Sequence, residues 1–229
     1  MNKKFKNYLI LYLSFLFFIS IFVLYTKHNV GNDSTISEWL INYSGGFTKR
    51  GIIGEISIFF SRLFDQNLRD IIYIFQLSIL GIYYILVYIF FKNLYLERYS
   101  LLAIFSPIFL IYPVAETEVL ARKEVFIFVL FLLHTSIPPL NNNLVRISKL
   151  VIFPLSVLIW EPIIFYLPLW IFIDLVKFKI KNYDKNLFNE IIYYLPALFL
   201  AIIFIINPLT PEEHFKMEQV LNKEFKEVC

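Results

Sequence analysis

The 229-residue chain is 59% hydrophobic and 19% aromatic with a mean hydropathy of +0.67, which excludes an ordinary soluble domain and indicates an integral membrane protein. Its formal charge of +3 is spread over short Lys/Arg clusters between apolar runs, a pattern that reports topology and not nucleic-acid binding. The single cysteine, Cys229, excludes an internal disulfide and a cysteine-rich metal site.

The first apolar run, Tyr8–Tyr25, follows Lys3, Lys4 and Lys6. It is too long for a signal peptide and lacks a small-residue cleavage site, so it reads as a retained span with a cytoplasmic N-terminus. The loop over 27–70 is then external. Within it, Asn32-Asp33-Ser34 reads as turn chemistry, with Asp33 the other external acid of interest. Thr35-Ile36-Ser37-Glu38 fits a capping box that starts a short helix, whose Trp39, Leu40 and Tyr43 suit the headgroup layer. Gly45-Gly46 should stop it. A second interfacial helix is expected from near Gly51 to about Phe64, with Ile52, Ile56, Phe59, Phe60 and Leu63 on one side.

The remaining candidate spans are Ile71–Phe91, Leu101–Val114, Val125–Pro138, Leu150–Trp160, Ile163–Val176 and Ile191–Ile206, several of them short for a bilayer. Leu150 to Val176 could be one span, but Lys177, Lys179, Lys181 and Lys185 would then lie outside, against the positive-inside rule. A break at Trp160-Glu161-Pro162 fits better, because a proline disfavours helix at the residue before it. The expectation is an all-α, polytopic helical membrane protein, one domain over 1–229, with about seven transmembrane segments and interfacial helices in the first external loop. The charged, helix-like tail Glu212–Val228 has no obvious ending and suggests a truncated product. The Ile, Phe, Tyr, Lys and Asn bias resembles that of an AT-rich, bacterial genome.

This topology gathers Lys49, Arg50, Arg62, Arg69, Arg122 and Lys123 on the external side, where cations need a reason. Lys49 and Arg50 fall at a helix start, whose dipole disfavours cations unless an anion arrives. Free amides, a glycine turn at Gly45 and Gly46, and an arginine able to grip two oxygens make a phosphate site; basic residues touching lipid headgroups are the alternative. Glu118 and Arg122 stand four apart, the favourable order for a helical ion pair. Glu161, a carboxylate in or beside a membrane segment, points to function, with an arginine or lysine as its partner. His134, inside an apolar run, reads more readily as hydrogen-bonded to a neighbouring helix than as catalytic. No HExxH, GxSxG, P-loop or GxGxxG occurs, so neither a metal nor a nucleotide cofactor is expected.

The stretch GGFTKRGIIGE at Gly45–Glu55, with Trp39 and Tyr43 upstream, resembles a motif of polytopic proteins from bacterial surface-polysaccharide loci. Arg122-Lys123-Glu124 and Glu161 look like further parts of that pattern. Such proteins are similar in plan to C-type integral-membrane glycosyltransferases and O-antigen polymerases of the inner membrane. The resemblance implies transfer of a sugar from a polyprenyl phosphate at the external face, with Asp33 or Glu38 as base or acid and Lys49, Arg50, Arg122 and Lys123 holding the donor's phosphate. C-type enzymes usually have more spans than seven and often an extra external domain. A non-enzymatic protein, either a flippase or transporter component or an accessory subunit binding an anionic lipid, is the other reading.

Overall fold

The computed structural model describes residues 3–29, 34–92, 102, 104–105, 120–136, 142–180 and 191–227. Among the described residues all regular structure is helical. The chain divides into two compact units, one built from Met1–Trp39 and Ser57–Val125, the other from Leu40–Ile56 and Phe126–Val228.

In the first unit, α1 (Lys3–His28) and α4 (Leu68–Phe91) pack together. They have 26 and 24 residues, about 39 and 36 Å at 1.5 Å per residue, and both are long and apolar enough to cross a membrane. Leu9, Leu13, Leu16, Ser20 and Leu24 form the buried stripe of α1, while Leu11, Phe15, Phe18 and Phe22 face outward. Large apolar side chains outside, over an inner stripe of leucines with one small polar residue, suit a helix that faces lipid. Ser20 Oγ lies 3.3 Å from the Tyr84 hydroxyl across the pair, and the Phe17 ring packs over Gly81.

Two shorter helices fill the loop between these spans. The second, α3 (Gly51–Phe64), occupies the expected residues, with Ser57, Ile58 and Ser61 buried and Ile56, Phe59, Leu63 and Phe64 exposed. The first, α2 (Ser34–Leu40), departs from expectation. It ends at Leu40, short of the glycines, and Thr35 lies inside it as a buried residue that accepts from Lys27 Nζ at 3.0 Å. Thr35 is therefore not the cap, and Glu38 is not its capping partner. Trp39 is buried completely and donates from its indole nitrogen to the Ala121 carbonyl at 3.0 Å, so it faces protein and not the headgroup layer.

In the second unit, α5 (Val125–Ser136) precedes a helical run made of α6 (Asn142–Ile147), a π-helical turn (Ser148–Ile152) and α7 (Phe153–Ile159), of six, five and seven residues. Together they extend about 27 Å. The run stops at Trp160, whose backbone is extended (φ −155°, ψ 98°), and resumes as a 3-10 turn (Glu161–Tyr166) leading into α8 (Leu167–Ile180). Pro162 explains the stop, because it has no N–H to offer the preceding turn and its ring clashes there. The break expected at Trp160-Glu161-Pro162 is present. Helix α9 (Leu195–Ile206) follows, and α10 (Pro211–Phe225) leaves it at 100°. Phe153, Val157, Ile163, Trp170, Tyr194 and Ala197 form the core of this unit.

By length and composition, two described helices can cross a membrane, or three if α9 and α10 count as one bent span. That is fewer than the seven expected. The expected third span, Leu101–Val114, lies almost wholly outside the described residues, and the later segments are divided by the π turn, the Trp160 break and the bend at 207–210.

Candidate functional site

The loop from Ile41 to Arg50 is built by its own polar side chains. Asn42 is fully buried, its Oδ1 accepting from the Ser44 amide at 2.8 Å and its Nδ2 donating to the Leu40 carbonyl at 3.0 Å. The Tyr43 amide donates to Glu55 Oε2 at 3.1 Å, and the Gly46 amide to the Tyr43 carbonyl at 3.1 Å. Burial, with Glu55 nearby, pushes the Tyr43 hydroxyl up to about 12, which keeps it protonated.

The two glycines are required for contact with α10. A Cβ on Gly45 would stand 2.0 Å from the Glu213 carbonyl oxygen, and Gly46 holds φ +148° with the Glu213 carboxylate beside it. Glu213 belongs to a capping box with Thr210, accepting from its amide at 2.9 Å and its hydroxyl at 2.8 Å, which holds the carboxyl below its ordinary value. The close approach expected of a phosphate at Gly45 and Gly46 is thus made by the first turn of α10.

Arg50 follows in the left-handed region (φ 64°), immediately before α3, and meets Glu161. Its Nε donates to Oε2 at 2.8 Å and its Nη2 to Oε1 at 3.1 Å, the two-point geometry that arginine makes with carboxylates. Lys49 Nζ lies 3.4 Å from Oε1 with its side chain 52% exposed. Burial alone would raise the Glu161 carboxyl, but the hydrogen bonds and charge of Arg50, with Lys49 behind them, outweigh it and hold the group below its ordinary value. The anion that a cation pair at a helix start calls for is, in this conformation, the protein's own Glu161.

The first unit holds a separate cluster. Arg122 donates to Glu38 Oε1 at 2.7 Å and stands 3.4 Å from Glu124 Oε1. The expected Arg122 partner Glu118 lies outside the described residues, as do Glu116 and Asp33. Lys123 is fully buried. The structure therefore brings Lys49, Arg50 and Glu161 together, and Glu38 and Arg122 together.

A third group involves residues that reading the sequence missed. Asp174, on α8, accepts from Lys149 Nζ at 2.7 Å and the Tyr194 hydroxyl at 2.9 Å on Oδ2, while its Oδ1 lies 3.0 Å from His134 Nε2. His134 does bond to a neighbouring helix, as expected. Lys149 reads in the sequence only as a topology marker; the available signal was Asp174, an acid inside the apolar run Ile163–Val176. Among the described residues no three His, Cys, Asp or Glu side chains converge.

No protein-family model, curated protein or solved structure matches the chain. A functional reading therefore rests on its own residues.

Proposed function

We propose that the chain is a multi-pass protein of the bacterial cytoplasmic membrane that transfers or polymerises sugars carried on a polyprenyl phosphate at the external face, in cell-surface polysaccharide synthesis. In this reading it has seven crossings, a cytoplasmic N-terminus and an external loop over 27–70. The observation that carries it is the Lys49–Arg50–Glu161 cluster, in which two cations share one carboxylate and the exposed lysine leaves an excess of positive charge.

Such a cluster supports substrate-triggered exchange. A donor phosphodiester offers Arg50 the same two-oxygen geometry as Glu161, so it competes for the guanidinium, and its negative charge grows as the sugar leaves. Glu161, released from Arg50, recovers basicity and takes the acceptor hydroxyl's proton. The hydroxyl oxygen forms the new bond to the sugar carbon as the bond from that carbon to the phosphate oxygen breaks. The proton ends on Glu161, and the departing polyprenyl phosphate carries its charge away against Arg50 and Lys49. Glu38 and Arg122 form a second acid–base pair that the same donor could use, with Lys123 beside them in sequence and Asp33 as the further acid.

The test is polymer length in cells expressing Arg50→Ala or Glu161→Gln at unchanged membrane level. Loss of long glycan in both is expected; full-length polymer with either variant rules the cluster out. Cysteine labelling at positions 44 and 182 checks the topology, and labelling at 44 only after permeabilisation sinks the external assignment. The second reading, a flippase or transporter component or an accessory subunit that binds an anionic lipid, is favoured by one observation: the buried charged group at Asp174.

A further inference from the structure

The group around Asp174 has a donor and acceptor count that sequence reading did not supply. His134 is 1% exposed, and both its ring nitrogens face oxygen: Nε2 lies 3.0 Å from Asp174 Oδ1 and Nδ1 lies 3.1 Å from Ser148 Oγ. Asp174 acts as an acceptor throughout, because its other oxygen takes hydrogens from both Lys149 and Tyr194. Ser148 has one hydroxyl hydrogen and two acceptors within reach, the Val145 carbonyl at 2.8 Å and His134 Nδ1.

Two complete arrangements follow. In one, Ser148 donates to Val145 and His134 carries hydrogens on both nitrogens, one for Asp174 and one for Ser148. In the other, the Nδ1–H bond has broken and its proton has left to water; the Nε2–H stays on Asp174, and the Ser148 hydroxyl turns to donate to Nδ1. The two differ by one proton and one hydroxyl rotation, with no backbone change.

We propose that His134, with Ser148 and Asp174, is a proton-binding site inside the second unit. Its ligand is a proton and not a metal ion, since both Asp174 oxygens are already taken, Oδ2 by Lys149 and Tyr194 and Oδ1 by His134. The groups facing it are Ser148 and Lys149 from the π turn, Asp174 and the Trp170 ring from α8, and Tyr194 ahead of α9. Lys177, also from α8, donates to the His134 carbonyl. The proton exchanges with water at the Ser136 and Lys177 end, where α5 and α8 carry an exposed serine and a partly exposed lysine in place of apolar side chains. The π turn that presents Ser148 and Lys149 is an independent sign, because such widened turns are rare and frequent at functional sites. This inference stands apart from the sugar-transfer reading, since it uses none of the residues assigned to that chemistry.

The experiment is nitrogen-15 NMR of histidine-labelled full-length protein in lipid nanodiscs. The chain has 3 histidines, and His134→Gln assigns the signals. Across a pH series over which the protein stays folded, His134 Nδ1 is expected to pass from protonated to bare while Nε2 stays protonated. In Ser148→Ala the protonated form loses a charge-assisted bond and the neutral form only an ordinary one, so proton binding should weaken by roughly tenfold. Both nitrogens holding one state across that series, or a Ser148→Ala titration identical to that of the parent, overturns the proposal. The parent measurement stands alone if the variant does not fold.

Discussion

Glu161 and Asp174 each hold a lysine and at least one further donor, yet the Glu161 side chain keeps 19% of its surface exposed and the Asp174 side chain 3%. Glu161 sits at a break in the helical run, where Pro162 frees the backbone and solvent reaches the pair. Asp174 sits within α8, where all its partners arrive from neighbouring helical segments. Exposure decides what each pair can do. A half-open pair can exchange its carboxylate for a visiting anion at little cost, whereas a closed one loses far more from losing a partner than it ever gained from having it.

Lys149→Met should break this comparison most strongly. It removes the lysine ammonium from the buried Asp174 carboxylate and is expected to cost about 3–5 kcal/mol, measured as a shift of the SDS unfolding midpoint in mixed micelles. A loss near 1 kcal/mol would put the two pairs in one class. Gly45→Ala comes next, at about 1–3 kcal/mol for forced overpacking, since the added carbon meets backbone at 2.0 Å. Proteolysis should then release α10 before the rest of the unit. The Arg50–Glu161 pair should show a coupling of about 0.5–1 kcal/mol in a double-mutant cycle of Arg50→Ala and Glu161→Gln; zero coupling would mean that the pair is not held in solution.

The smallest effect is in pH. Because Arg50 holds the folded-state carboxyl of Glu161 below its ordinary value of 4.5, the pair's contribution is complete above that ordinary value. It fades as pH falls through the lower folded-state value. The stability difference between parent and Glu161→Gln should therefore be constant near neutrality and vanish in acid, and a difference that grows on acidification contradicts the assignment.

How far the sequence could be read is clearest where one signature occurs twice. Thr35-x-x-Glu38 and Thr210-x-x-Glu213 are the same local pattern. Only the second is a capping box. At Thr210 the pattern lies at an exposed helix start with Pro211 fixing the first turn, so local chemistry decides. At Thr35 it is overruled by tertiary partners, Lys27 for the hydroxyl and Arg122 for Glu38, 84 residues away. The helix Gly51–Phe64 and the Trp160 break were legible because periodicity and proline act locally. The misfit of Lys49 and Arg50 at a helix start was legible as a demand for negative charge, but nothing in the spacing identifies a glutamate 111 residues on as its supplier. The π turn hides Lys149 for a related reason, since one extra residue in a turn shifts the face that periodicity tracks.

The separation of Arg50 from Glu161 has a consequence for biosynthesis. At about 5–20 residues per second, the ribosome delivers Glu161 roughly 5–20 s after Arg50. The Asn42 amide waits longer for Met217, 175 residues on. During that interval the glycine loop is a nascent segment with two cations and neither of those later partners, next to a newly inserted α1. Its cations then have only acids close in sequence, Glu38 and Glu55, and the headgroups of the bilayer to pair with, and the speed of translation sets how long they wait for Glu161.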